Sequence, residues 1–98
     1  MFILYTQKTC AHSKKVLEFA KEKKIDIEER DIADDTHMLE LKEYGGDIQT
    51  PYLYDSTMGI GMYESELIIT YLTEQLRAGE KALSIEVDPP IKEEEVTL

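Results

Sequence analysis

The sequence has few of the residues that cross-link a chain or anchor it in a membrane. Its 98 residues include one cysteine, three prolines and no tryptophan, so an internal disulfide is excluded. No apolar run approaches the roughly 20 residues that cross a bilayer, and the first residues lack the basic leader of a signal peptide. We therefore expect a cytoplasmic protein with a single core and no membrane partner.

Basic residues are also scarce, because 11 Lys and Arg stand against 21 Asp and Glu and give a formal net charge of −10. A surface of this sign disfavours nucleic acid, since phosphate binding needs basic side chains. Residues 1–24 are the exception, with six lysines and two glutamates. This basic segment surrounds Cys10. It forms either a solvated helix face or a positive potential that favours a thiolate and an anionic thiol substrate.

The hydrophobic pattern predicts strands and helices in the order βαβ, helix, ββ, helix. The predicted strands are at residues 2–5, 25–32, 52–54 and 60–63. The first predicted helix spans residues 11–24. The second begins with N-cap side chains at Asp34–Thr36 and ends at the glycine pair 45–46, and the third runs from an N-cap at Ser65 to about Gly79. A helix joins the first two strands, so they should be parallel, whereas the last two form a hairpin. We expect an α/β domain over residues 1–79, with a four-stranded mixed sheet and three helices.

Residues 80–98 differ in kind, because they hold a proline pair and a run of three glutamates with little periodicity. We expect them to form an acidic, extended tail.

Cys10 lies where the first predicted strand has ended and the first helix begins. A thiolate at a helix N-terminus accepts hydrogen bonds from unpaired amides and lies at the positive end of the helix dipole, which lowers its pKa. Ser13, one turn further, can donate its hydroxyl to the sulfur. His12 stabilises a thiolate when protonated and can only hydrogen-bond when neutral. The alternative is an inert buried cysteine, and the polar neighbours on both sides count against it.

Four stretches resemble the glutaredoxin branch of the thioredoxin superfamily and the N-terminal domain of glutathione transferases: ILYTQKTCAHS, EERDI, TPYLYD and MYESELIITYL, within residues 3–72. The resemblance implies a thioredoxin-like fold, glutathione as co-substrate and a cis bond before Pro51. It also implies that the Thr50 backbone pairs with the cysteinyl part of glutathione. Glu64 and Ser65 would hold the γ-glutamyl end, for which a helix N-terminus with a free hydroxyl is suited.

Departures from the family pattern narrow the expected activity. Ser13 replaces the second cysteine of the glutaredoxin pair, so the resemblance implies a monothiol oxidoreductase that exchanges mixed disulfides of glutathione through Cys10. In glutaredoxins, a basic residue at the position of Gln7 contacts the glycyl carboxylate of glutathione. Lys8 lies beside Gln7, so Lys8 is a candidate for this contact. The GIGMYES stretch favours the transferase branch. Yet the chain has no room for the helical second domain of transferases, so conjugation of bulky electrophiles is not expected.

Alternatives to this interpretation remain. An iron–sulfur carrier resembling monothiol glutaredoxins would show Cys-Gly-Phe-Ser, and Ala11-His12 does not match. An arsenate-reductase-like domain would need an arginine soon after the cysteine. A non-catalytic adaptor, with a homodimer contact or a protein partner at the acidic tail, fits the same residues. Cys10 and His12 supply too few ligands for a metal site. Tyr5 stands where some transferases place a glutathione-activating tyrosine, but we expect it to pack in the core.

Overall fold

A computed structural model describes the backbone of residues 1–87 and the side chains of residues 1–78. The elements are β1 Phe2–Thr6, α1 Ala11–Glu22, β2 Ile27–Asp31, α2 Asp35–Gly45, β3 Tyr52–Asp55, β4 Ile60–Tyr63 and α3 Ser65–Val87. The predicted order and the α/β, thioredoxin-like fold class are confirmed. None of the helices within the described part of the chain combines the length and the apolar character that a bilayer span requires.

The four strands form one mixed sheet in the order β2-β1-β3-β4. β1 pairs with β2 in parallel and with β3 in the antiparallel sense, and β3 and β4 form an antiparallel hairpin. The parallel pair needs a crossover, which α1 supplies. The predicted mixed sheet is therefore confirmed, and the carboxyl end of β1 leads directly to Cys10.

The sheet carries a different core on each face, because successive side chains of a strand point to opposite sides. On one face, Leu4 and Leu53 pack with side chains of α1 and α3. On the other face, Tyr5 and Tyr52 pack with Leu41 of α2. The helix α1 joins the first core through Val16, which is completely buried.

The caps of α2 are those that the sequence predicts. Asp34 is the N-cap residue, and its carboxylate accepts a hydrogen bond from the Thr36 amide at 2.8 Å. Gly46 ends the helix with a φ of 91°, a conformation that costs glycine little because it has no Cβ. Both ends of α2 therefore follow from local side-chain and backbone chemistry.

The predicted end of α3 near Gly79 is wrong, since this helix continues to Val87. One glycine costs a helix only about 1 kcal/mol relative to alanine, and good helix formers surround Gly79. Residues 80–87 are thus helical rather than extended. The rest of the predicted acidic tail lies outside the described residues, and the domain boundary at residue 79 stays a prediction.

Candidate functional site

Cys10 is the N-cap residue of α1, in the extended conformation that ends the β1–α1 loop. Its carbonyl accepts the first hydrogen bond of the helix from Lys14 at 3.2 Å, but its side chain makes no capping bond. The thiol instead donates toward the Thr50 carbonyl, with an Sγ–O distance of 3.5 Å. The predicted position of the cysteine at a helix start is confirmed, and its sulfur faces the segment before β3.

The surroundings of Cys10 favour the thiolate. Burial opposes ionisation, but polar interactions with the Ser13 and Thr50 side chains and with the Ser13 and His12 amides outweigh it and lower the pKa of the thiol. Ser13 is almost fully buried, and its oxygen accepts a hydrogen bond from the Gln7 amide at 3.4 Å. That bond uses a lone pair of the Ser13 oxygen and leaves its hydroxyl proton available to the Cys10 thiolate.

The Thr50–Pro51 peptide bond is cis, as the resemblance implies. Pro51 is buried and immediately precedes β3. This arrangement brings the Thr50 carbonyl to Cys10, although 40 residues separate the two in the sequence. The two residues therefore meet only because β1 and β3 are neighbours in the sheet.

The start of α3 forms the second side of the site. Glu64 precedes the helix with a φ of 72°, which is strained for a residue with a side chain, and its carbonyl accepts from the Ile68 amide at 3.1 Å. Glu64 thus holds the N-cap position, so the expected capping role of Ser65 is wrong. Ser65 is the first helical residue, is buried, and lies with its Oγ 3.5 Å from Nδ1 of His12.

A cavity of about 310 Å³ lies between these two sides. Its lining residues are His12, Gln49, Thr50, Pro51, Tyr63, Glu64, Ser65 and Glu66. This volume is near the lower limit of the roughly 300–1,000 Å³ of small-molecule sites. Cys10 does not line the cavity itself, but its sulfur contacts the carbonyl of Thr50, which does. The free amides of the first turn of α3 face a space that suits a carboxylate.

Most predicted site residues are therefore close together, whereas Lys8 is not. The residues brought together are Cys10, His12, Ser13, Thr50, Pro51, Glu64 and Ser65. Lys8 lines a separate depression of about 490 Å³ with Thr9, Asp31 and Ile48 among its neighbours. The role of Lys8 in binding a glycyl carboxylate has no support from this placement.

Sequence reasoning missed three lining residues: Gln49, Tyr63 and Glu66. Each is adjacent in the chain to a predicted residue, since Gln49 precedes Thr50, and Tyr63 and Glu66 flank the Glu64–Ser65 pair. That adjacency was the available signal. It does not tell which neighbour turns toward the cavity, because that depends on the packing of β3 against β4.

Tyr5 lies on the opposite face of the sheet from α1 and is fully buried, as expected for a core residue. Its hydroxyl donates to Glu40 at 3.1 Å and accepts from Arg30 at 3.4 Å. Burial, the largest effect, together with Glu40 raises the pKa of Tyr5 to about 12. Tyr5 therefore belongs to a structural polar network. Within the described residues, no group of three or more His, Cys, Asp or Glu side chains is arranged to hold a metal ion.

Comparisons with known proteins agree with this fold. A glutathione S-transferase from the Antarctic clam Laternula elliptica shares 28% identity over 76% of this chain, with a TM-score of 0.63. A glutaredoxin from Brucella melitensis shares 16% identity over 81% of this chain and 84% of its own length, with a TM-score of 0.56. An epsilon-class glutathione S-transferase from the housefly, Musca domestica, shares 18% identity over 76% of this chain, with a TM-score of 0.63.

The chain spans only about a third of the length of the two transferases, 34% of the clam protein and 35% of the housefly protein. No curated protein matches the sequence. The model of the family described as glutathione S-transferase, N-terminal domain, matches residues 4–89, which is most of the chain. The protein therefore belongs to the family of glutathione S-transferase N-terminal domains, within the thioredoxin superfamily.

Proposed function

We propose that this protein is a glutathione-dependent monothiol oxidoreductase that removes glutathione from mixed disulfides, with Cys10 as the nucleophile. The observation that carries the proposal is the environment of the Cys10 sulfur. Its pKa is lowered despite burial, and Ser13, which cannot form a disulfide, occupies the position one turn further along α1. The family and the fold support a role linked to glutathione, either redox or transferase-like.

The cavity supports glutathione as the ligand. A carboxylate at the first turn of α3 meets the Ser65 hydroxyl and the unpaired amides there, at the positive end of the helix dipole. Glu64, at the same corner, offers a carboxylate to an α-amino group. The Thr50 backbone, 3.5 Å from the Cys10 sulfur, is where the cysteinyl part of the ligand pairs. The carboxylate and the α-amino group of the γ-glutamyl end thus meet partners of opposite charge, and the cysteinyl part meets a neutral backbone.

The proposed reaction consists of two thiol–disulfide exchanges. In the first, the Cys10 thiolate attacks the glutathione sulfur of a mixed disulfide; the Cys10–glutathione S–S bond forms and the substrate leaves as a thiolate, which takes up a proton. In the second, a glutathione thiolate attacks that adduct, restores Cys10 and leaves as oxidised glutathione. Across the two steps, one free glutathione reduces the substrate to its thiol, and it ends in a disulfide with the glutathione that the substrate carried. With one cysteine in the chain, the adduct cannot be resolved internally.

His12 supports this chemistry from between the two sides of the cavity. Its backbone amide helps to lower the pKa of Cys10, and its Nδ1 lies 3.5 Å from the Ser65 hydroxyl. A protonated ring there adds positive charge beside both the thiolate and the carboxylate site. We assign His12 to binding and orientation of the anionic end of the ligand. The proposed substrates are glutathionylated proteins and small disulfides, and the proposed compartment is the reducing cytoplasm.

Intact-mass measurement tests the nucleophile. Oxidised glutathione should add one glutathione to the wild type at neutral pH, and reduced glutathione should remove it. Cys10→Ser should show no adduct under the same conditions. An unmodified wild type would contradict the redox proposal. If Cys10 also ionises like a free cysteine and glutathione does not bind, the non-catalytic adaptor becomes the better interpretation.

Ser65→Ala tests the carboxylate site. Because Ser65 does not cap α3, the substitution should weaken glutathione binding about tenfold while the stability falls by about 1 kcal/mol or less. Titration calorimetry and urea unfolding measure the two effects. Ser56→Ala is the matched control, since Ser56 is exposed on the β3–β4 turn and should leave binding unchanged. Equal affinity in Ser65→Ala and wild type would rule out this carboxylate site.

A further inference from the structure

Tyr63 occupies the junction between the two walls of the cavity. It is the last residue of β4 and directly precedes Glu64, which leads into α3. The opposite wall is formed by the segment from Gln49 to Pro51, which leads into β3. The Tyr63 side chain links the end of β4 to the segment just before the Gln49–Pro51 wall, through hydrogen bonds to Asp47.

The Tyr63 hydroxyl bonds twice to the backbone of one residue, Asp47. It accepts a hydrogen bond from the Asp47 amide at 3.1 Å and donates one to the Asp47 carbonyl at 2.7 Å. The hydroxyl oxygen of Tyr63 thus bonds both the amide and the carbonyl of Asp47. A displacement of Asp47 relative to the Tyr63 ring therefore breaks at least one of these two hydrogen bonds. Asp47 lies three residues before Thr50, whose carbonyl contacts the Cys10 sulfur.

Two neighbours, Gly45 and Tyr52, confine the Tyr63 ring. Gly45, at the end of α2, lies against the phenol; a Cβ there would overlap the hydroxyl oxygen and lie 2.8 Å from Cζ. The Tyr52 ring packs against it, with the ring centroids 4.6 Å apart. The absence of a side chain at Gly45 therefore lets Tyr63 reach Asp47, and Tyr52 limits its movement on the sheet.

We propose, resting on the proposed function above, that Tyr63 is a positioning residue that sets the separation of the Thr50 and Ser65 walls. It thereby sets the affinity for the glutathione part of a disulfide substrate. Of the four interactions that lower the pKa of Cys10, three come from Ser13 and His12 on α1, and one comes from Thr50, on the wall that Tyr63 holds through Asp47. Tyr63 thus acts on binding more than on the thiolate.

Tyr63→Phe removes the two hydrogen bonds and keeps the ring. We expect the KM for a glutathionylated disulfide to rise about fivefold, while kcat changes by less than about twofold, because the lost hydrogen bonds hold a wall that binds the ligand equally in the ground state and in the transition state. Tyr54→Phe is the matched control. Tyr54 stacks on Tyr44 with centroids 4.7 Å apart, and its hydroxyl makes no hydrogen bond within the described residues.

Amide hydrogen exchange tests the positioning without any ligand. Tyr63→Phe should speed exchange in residues 47–50, whereas Tyr54→Phe should not. Gly45→Ala should also weaken glutathione binding, because its Cβ displaces the phenol. The effect of Gly45→Ala should be smaller in the Tyr63→Phe background, where the hydroxyl it would overlap is gone.

The outcomes separate this inference from the proposed function. Faster exchange together with a higher KM supports the positioning role. Unchanged exchange and unchanged KM overturn it, and a higher KM with unchanged exchange also overturns it, because Tyr63 then contacts the ligand directly. If the wild type binds no glutathione, the proposed function fails, and the exchange of residues 47–50 alone decides whether Tyr63 holds the wall.

Discussion

The two faces of the sheet are built from different chemistry. The aliphatic face, packed against α1 and α3, has a fully buried core of Leu4, Val16, Leu53, Ile68 and Leu72. The tyrosine face, packed against α2, has Ile3, Tyr5, Leu41 and Tyr52 as its buried core, with Tyr63 packed on its margin. Aliphatic burial is strong but has no direction, whereas a phenol adds a hydrogen bond that fixes one position.

This difference corresponds to two parts of the site. The aliphatic face supports the two helices whose first turns carry Cys10 and Ser65. The tyrosine face forms a cross-strand row of Tyr5, Tyr52 and Tyr63 in direct register. Tyr52 directly follows the cis bond at Pro51, and Tyr63 directly precedes Glu64. One face therefore sets the stability of the helices, and the other sets where the walls of the cavity lie.

The largest expected effect is on the aliphatic face. Leu53→Ala should lower the free energy of unfolding by about 2–5 kcal/mol, because Leu53 is completely buried and its removal leaves a cavity. Urea unfolding measures the loss, and Leu67→Ala on the exposed side of α3 is the control. The fraction that stays folded should bind glutathione as the wild type does. Weaker binding by that fraction would break the division between the two faces.

Asp55 is the charged exception on the aliphatic face. Burial opposes its ionisation, but hydrogen bonds from the Tyr71 hydroxyl at 2.6 Å and from the Met58 and Thr57 amides hold the pKa of Asp55 below its usual range. Because the folded-state pKa is depressed, this stabilisation is complete above the unfolded value of about 3.9 and is lost as the pH falls through the folded value.

Asp55→Asn should therefore destabilise the protein by about 2 kcal/mol at pH 7, and the difference from wild type should shrink in acid. Urea unfolding at pH 7 and below pH 4 measures both effects. Asp26→Asn, an exposed carboxylate, is the control. A difference that is the same at both pH values would show that Asp55 is not held ionised by these bonds.

Gly61→Ala tests the tyrosine face. A Cβ at Gly61 would overlap the Tyr52 hydroxyl and lie 2.6 Å from its Cζ, so the ring must move. We expect a loss of about 1–2 kcal/mol and weaker glutathione binding, because Tyr52 is bonded to Pro51. Gly59→Ala in the same hairpin adds a Cβ that contacts no other atom, but the backbone φ of 69° at this residue is strained for alanine. It should lose stability without losing affinity, and equal affinities in the two variants would contradict the comparison.

Ser13→Ala has the smallest expected effect on stability, about 1 kcal/mol, and acts on the thiol itself. Without the Ser13 hydroxyl, the pKa of Cys10 should rise, so that less thiolate is present at neutral pH. The pH dependence of alkylation by iodoacetamide measures the shift. Ser56→Ala should leave the profile unchanged. An unchanged midpoint in Ser13→Ala would mean that the backbone amides at the start of α1 suffice.

The order of strands and helices, the parallel β1–β2 pair and the caps of α2 could be predicted from the sequence, because each depends on local periodicity or on residues a few positions apart. The end of α3 could not, since a single glycine is a weak stop signal when helix formers follow it. The prediction that Ser65 is the N-cap residue of α3 was also wrong. Glu64 takes that position with a backbone conformation that its residue type does not favour.

The sequence by itself determined that Cys10 lies at a helix start with Ser13 one turn further, and that Pro51 and a Glu–Ser pair follow in that order; only the family resemblance implied that the bond before Pro51 is cis. Only the tertiary structure decided that Thr50 lies against the Cys10 sulfur, that Ser65 lies beside His12, and that Lys8 lines another depression. Contacts of this kind join residues 40 or more positions apart. They depend on strand register and on the packing of the two faces, which no local pattern specifies.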